Sequence, residues 1–160
     1  MSHLTTALVV AALLGSAVIG GVFFAFSSFV MGALTRLPTA EGVAAMQSIN
    51  VVVLNRSFLG AFTGTAMVSV LLAGMAVKHW SLPNAPWVLS GALCYLTATF
   101  LVTGLGNVPL NNALAATTAG DSASVVIWEH YLDRWTRLNT FRCIGAVVAA
   151  LCFIVALLVE

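Results

Sequence analysis

From Met1 to Thr35 the chain carries no charged side chain. Crossing a hydrocarbon core takes about 20 apolar residues at roughly 1.5 Å each, so residues 5–31 can span a bilayer with some tilt. No Lys or Arg precedes this run and it is long, which argues against a cleaved signal peptide. The rest of the chain has the same character. Of 160 residues, 61% are hydrophobic and 7% charged, against roughly 25% charged in an ordinary soluble domain. A disordered chain would be poor in apolar residues and rich in charge. A net charge of +1 leaves no basic surface for nucleic acid and no acidic tail. The length allows one domain, and the composition is that of a small integral membrane protein whose first partner is the lipid bilayer.

Three more apolar runs are long enough to span. One covers residues 58–77 and stops at Lys78 and His79; another covers 87–105, after the turn signals Pro83, Asn84 and Pro86; the last covers 138–159. The expectation is an all-α fold, a membrane four-helix bundle forming a single transmembrane domain over 1–160. Both termini then share one side with the short loop 78–86, and the long connections 32–56 and 106–137 share the other. Lys and Arg near the second side number five (Arg36, Arg56, Arg134, Arg137, Arg142) against one (Lys78) near the first. The positive-inside rule places the long connections in the cytoplasm and the chain in the plasma (inner) membrane.

Those connections are not plain loops. Residues 39–55, after Pro38, read as a helix with Val43, Met46, Gln47, Asn50 and Leu54 on one face. From an N-cap at Asp121 or Ser122 no helix breaker follows before the C-terminus. A helix over 122–158 would be roughly 55 Å long, well beyond a bilayer core. Residues 122–137 are therefore expected to stand outside the membrane and pack on the helix at 39–55. The bundle thus carries amphipathic helical extensions on the side of its two long connections.

The richest segment is WEHYLDRWTRLNTFR, residues 128–142. On a helical wheel Trp128, Tyr131, Trp135, Leu138, Asn139 and Arg142 fall within a stripe of roughly 100°, while Glu129, His130, Asp133, Arg134 and Arg137 point elsewhere. A charge within a span is costly and usually faces the bundle interior or a cavity. Two readings stand: a functional cavity, or Arg142 snorkelling to the headgroups beside two interfacial tryptophans. In GNVPLNN, residues 106–112, Pro109 has no amide hydrogen to donate. If the third helix continues, the carbonyl of Leu105 is released and Asn107 and Asn111 share a face. If it ends, Asn107 caps it and Pro109 opens a new helix. Gln47, Asn50 and Asn55 add amides on the same membrane side. The first span offers a small-residue surface at Ser16, Gly20, Gly21 and Ala25. Beside it runs FFAFSSF, residues 23–29, which reads as packing first, with Phe26 and Phe29 able to line a pocket.

Other chemistries are excluded by topology. His3 and His79 lie on one side and His130 on the other, with none at mid-span, so they cannot share a metal or hold a haem between helices. His130 with Glu129 or Asp133 gives too few ligands for a structural zinc site. Cys94, Cys143 and Cys152 fall inside spans without a Cys-x-x-Cys pair, which rules out a thiol oxidase. No span holds the carboxylate that a drug–proton antiporter needs.

Three segments, FFAFSSFVMGALTRLPTAEGVAAMQSIN (23–50), NVPLNNAL (107–114) and WEHYLDRWTRLNTFR (128–142), resemble in order and spacing the anthrone oxygenase-like family of small membrane proteins. The resemblance implies a four-helix transmembrane fold. For members in aromatic polyketide pathways it implies oxidation of an anthrone to an anthraquinone by dioxygen. It singles out Asn107, Pro109 and Asn111; Trp128, Tyr131, Trp135, Asn139 and Arg142; and Met46, Gln47 and Asn50. Arg56 departs from the pattern, in which a proline follows the asparagine. In such a reaction Arg142, Asn139 and Asn111 would hold the oxygen of the reacting anion. Trp128, Tyr131 and Trp135, with Asn107, Gln47, Asn50 and Met46, would bind the rings of a small hydrophobic aromatic substrate. No residue on the stripe is an evident base, and the cofactor is unknown, with dioxygen as co-substrate. The alternative is a non-catalytic lipophile binder or accessory subunit of a membrane complex. A homo-oligomer is equally open.

Overall fold

The computed structural model describes residues 2–159. The described chain forms α1 (His3–Leu34), α2 (Thr39–Val52), α3 (Arg56–Lys78), α4 (Ala85–Ala115) and α5 (Ser122–Leu158). Helices α1, α3, α4 and α5 are long and apolar enough to cross a bilayer, and the protein is a multi-pass membrane protein. Local chemistry sets several of the starts. Ser2 Oγ accepts the amide of Thr5 at 3.2 Å, and Pro86 occupies the first turn of α4. Asn55 joins two helices: its Oδ1 accepts Phe58 N–H and its Nδ2 donates to Val52 O, both at 3.0 Å. Rather than joining the other amides of this membrane side in a cavity, Asn55 thus fixes the elbow between α2 and α3. Asp121 takes the N-cap position of α5, although its side chain makes no capping bond.

The four long helices form a ring in which α1 touches α3 and α5, and α4 touches α3 and α5. Lipid is as apolar as leucine, so packing rather than the hydrophobic effect holds such helices together. Small residues allow the approach. A Cβ on Gly145 of α5 would run into Ala98 of α4, and one on Gly91 of α4 would stand 2.9 Å from the Phe153 ring. In α1 the small-residue surface is used in part. Ser16 and Gly20 are buried, Gly20 facing Ala146 and Val147, while Gly21 faces open space.

Buried side chains form two cores. The lower runs through the bundle and includes Phe23, Phe62, Leu72, Tyr95 and Phe153. The upper joins Met31, Leu34, Val43, Met46, Leu114, Trp128, Tyr131 and Trp135, tying α2 to the projecting ends of α1, α4 and α5. Here Trp128 stands 3.1 Å from where a Cβ on Gly42 would be. Gln47 Nε2 donates to the carbonyls of Leu114 (2.9 Å) and Thr117 (3.0 Å), closing the end of α4.

Two helices depart from regular α winding. Helix α1 has a π-helical turn at Phe26–Val30, and α4 has two, at Tyr95–Leu101 and Thr103–Asn107. Of the alternatives at GNVPLNN, the structure takes the continuous helix: α4 runs through Pro109 to Ala115. Val108 N–H reaches back to Thr103 O, and the wider turn brings Asn107 and Asn111 together toward α5. Such π turns are frequent at functional sites, and two of them, through Phe26 and Thr103, border the region where the two cores meet.

Candidate functional site

A cavity of about 350 Å³ lies between the two cores. Small-molecule pockets run from about 300 to 1,000 Å³, so the space suits a small molecule. Its apolar wall comes from Phe23 and Phe26 of α1, Met46 of α2, Phe58 of α3 and Trp135 of α5. The aromatic side has two ring pairs: Phe26 meets Trp135 at 5.6 Å between ring centroids, and Phe58 stacks on Phe62, behind the lining, at 5.7 Å. Polar groups enter from Gln47, Asn50, Thr103, Asn111, Asn112, Asn139 and Arg142.

Arg142 and Asn139 form one unit. Both are buried, at 4% and 0% exposure. Asn139 Nδ2 donates to Phe23 O and to Ser27 Oγ, each at 2.7 Å, which fixes the flip of the amide. Its Oδ1 must then face Arg142, whose Nη2 donates to it at 2.8 Å. Arg142 Nη1 donates to Thr103 Oγ1 at 3.0 Å, and that hydroxyl donates to Thr99 O at 2.8 Å. The guanidinium carbon stands 4.1 Å from the Phe23 ring centroid and 5.4 Å from that of Trp135. Nε has no partner among the described residues. Of the two readings of Arg142, this burial removes snorkelling to the headgroups.

Asn111 forms the second unit. Its Oδ1 accepts both Tyr131 OH and Trp135 Nε1 at 2.8 Å. Tyr131 OH in turn accepts Asn50 Nδ2 at 3.3 Å. Every proton in this relay points toward Asn111 Oδ1, so the Asn111 amide group keeps its Nδ2 donors for the cavity that the residue lines.

The stripe on α5 is buried at all its aromatic and polar positions, but it serves two neighbours. Trp135, Asn139 and Arg142 line the cavity. Trp128 and Tyr131 stack in a ladder with Trp135, with centroid spacings of 5.7 and 5.8 Å, and line the junction with α2 instead. Asn107 is buried and donates to Trp135 O at 3.2 Å, away from the cavity lining. Met46 and Gln47 line the cavity, although the Gln47 amide nitrogen is committed to the end of α4. Of the phenylalanines in FFAFSSF, Phe23 and Phe26 line the cavity while Phe29 is exposed. Sequence reasoning misses Thr103, Phe58 and Ser27. For Thr103 a signal exists: Thr103, Asn107 and Asn111 recur every four residues.

Among the described residues, no carboxylate and no histidine lines the cavity. His130 is on the outer face of α4 and α5, beside Arg134, Leu105 and Pro109. Nor do any three of the described His, Cys, Asp or Glu come together. The site consists of neutral amides and hydroxyls, aromatic rings and one guanidinium.

No curated protein and no solved structure matches the chain. The family model of anthrone oxygenase matches residues 52–152. The match takes in α3, α4 and most of α5, with both NVPLNNAL and WEHYLDRWTRLNTFR, and leaves out the segment 23–50. It covers well over half of the chain, which thus belongs to the anthrone oxygenase family.

Proposed function

We propose that the protein is a membrane-bound oxygenase that oxidises a flat aromatic, anthrone- or quinol-like, substrate with dioxygen in this cavity. One observation carries the reading: a guanidinium fixed by neutral donors and acceptors at the inner end of an aromatic-walled, amide-bearing cavity, in a chain of the anthrone oxygenase family. For an anthrone the overall change balances without a further reductant. The ring methylene loses two hydrogens and gains one oxygen atom as a carbonyl, and the second oxygen atom leaves as water. The reactive species is the deprotonated anthrone, whose charge is delocalised from carbon onto the carbonyl oxygen. Preorganised donors aimed at developing charge supply most of the rate acceleration in many enzymes. Arg142 is the donor in this site, Asn139 and Thr103 position it, and Asn111 supplies neutral N–H groups. Phe23, Phe26 and Trp135 form the slot for the rings.

A substrate of this kind partitions into lipid, and the cavity lining includes Val51, Leu54 and Val108, which are exposed at 72%, 65% and 41%. This apolar rim, at the elbow of α2 and α3 opposite α4, is the proposed entrance. In the same reading the chain sits in the plasma (inner) membrane with the cavity end on the cytoplasmic side. Purified protein in detergent, given an anthrone, should consume dioxygen and yield the anthraquinone. Arg142→Met should lower turnover by about a hundredfold or more, the usual cost of removing a preorganised oxyanion donor. Equal turnover by a folded Arg142→Met protein would show that the oxidation does not depend on this site. No turnover by the wild type would favour a lipophile binder or accessory subunit.

A further inference from the structure

Among the described residues, Arg142 is a buried cation without a counter-ion. The described carboxylates Glu41, Asp121, Glu129 and Asp133 are all exposed, and Asp133 pairs with Arg137. A charge within a membrane span is costly to hold unless it faces a partner or a cavity. Two ring faces return part of that cost, and the bonds to Thr103 and Asn139 satisfy two N–H groups, but none of these cancels the charge. The Nε–H and the remaining Nη hydrogens meet no acceptor among the described residues, and the residue lines a cavity.

We infer that the cavity binds its aromatic ligand as an oxyanion, the ionised hydroxyl of a phenol or the enolate of an aryl ketone, which supplies the charge that Arg142 lacks. The ring class rests on the oxygenase reading; the charge does not. The inference also accounts for a cavity without a base. Binding transfers the ligand's proton to solvent water, no protein group takes it up, and the guanidinium shifts the equilibrium by stabilising the anion. No opposing charge interferes. The other groups lining the cavity from α1, α2, α3 and α4 do not ionise. On α5 the Tyr131 hydroxyl is committed to Asn111 Oδ1 and Cys143 faces Gly20 O. Arg56, on the elbow between Leu54 and Phe58, is exposed.

The test uses a hydroxyanthraquinone whose hydroxyl is not bonded to its own carbonyl. Its ionisation changes its colour from yellow to red, so the bound protonation state is read directly. An opposite charge at close range favours ionisation by about ten- to a thousandfold, whereas burial alone disfavours it. In wild-type protein the bound dye should therefore turn red at lower pH than the free dye. In Arg142→Met, and in Thr103→Asp, which places a carboxylate on Arg142, it should turn red only above the pH of the free dye. Arg142→Lys should keep much of the wild-type shift. Unsubstituted anthraquinone should bind the wild type, which reports a cavity open to the rings, and all four proteins should show the same helix content and thermal unfolding by circular dichroism. If Arg142→Met alone fails that control, Thr103→Asp and Arg142→Lys decide. Neutral dye bound to the wild type, or the same shift in Thr103→Asp, would overturn the inference. A wild-type shift without oxygen turnover would sink the oxygenase reading and leave this one. Failure of the wild type to bind either molecule would remove both.

Discussion

Asn139 holds three groups at once: Phe23 O, Ser27 Oγ and Arg142 Nη2. Replacing it with leucine, of similar size, leaves a guanidinium nitrogen of Arg142 unpaired in a buried place and takes one of its two donors from Phe23 O, which keeps the Phe26 N–H. Each unsatisfied buried group costs about 1–3 kcal/mol, so Asn139→Leu should unfold at a clearly lower temperature in detergent and lose turnover with it. Asn111→Leu also strips the acceptor from Tyr131 and Trp135. Much of this residue-level picture is legible in the sequence. The helical period alone puts Trp128, Tyr131, Trp135, Asn139 and Arg142 on one face, and all five are buried. What the period cannot divide is the stripe itself, because one face of α5 meets α2 above and the cavity below. Trp128 and Tyr131 consequently serve the junction. Ser27 gives little signal, since a lone hydroxyl in a span commonly bonds its own backbone, as Ser28 does to Phe24 O, whereas Thr103 is marked only by its four-residue spacing from Asn107 and Asn111.

At the scale of elements the decisive feature is the winding of α4. Pro109 cannot donate, and the π turn Thr103–Asn107 just before it absorbs the missing bond. Asn107 and Asn111 both reach α5 as a result. Pro109→Ala restores a donor and allows the segment to relax to regular α winding, rotating Asn111 relative to Thr103. A misplacement of about 1 Å can cost on the order of a hundredfold in rate. Pro109→Ala should accordingly keep its helix content and thermal stability by circular dichroism while its turnover falls by tenfold or more. Unchanged turnover would show that the π turn does not set the site. The proline and the paired asparagines are visible in the sequence, and so is the choice between a helix end and a continued helix. The π turns are not: TATFL and GLG lie in an apolar stretch without charged residues to mark the phase.

At the scale of the whole molecule, charge-poor apolar runs are enough to mark four spans. Their packing into a ring with α2 across one end depends on glycine contacts that composition does not reveal, such as Gly42 under Trp128 and Gly145 against Ala98. Orientation rests on charge. With Arg142 inside the bundle, the balance of Lys and Arg becomes four (Arg36, Arg56, Arg134, Arg137) to one (Lys78), and still favours the cavity end in the cytoplasm. Native cysteines are unpaired and replaceable. A single cysteine at Ser81 should react with an impermeant thiol reagent on intact cells, and one at Thr118 only after lysis. The opposite pattern would invert the protein in the membrane without altering the site.

Whether the cavity around Arg142 performs the oxidation is the central question. The most direct measurement loads the protein with an anthrone in the absence of oxygen, removes free ligand, admits dioxygen and follows the anthraquinone absorbance within a single turnover. Bound anthrone should convert rapidly in the wild type, and in Arg142→Met at about the rate of anthrone in detergent alone. Equal single-turnover rates in the two proteins, with anthrone bound to both, would contradict a role for the cavity in the chemistry.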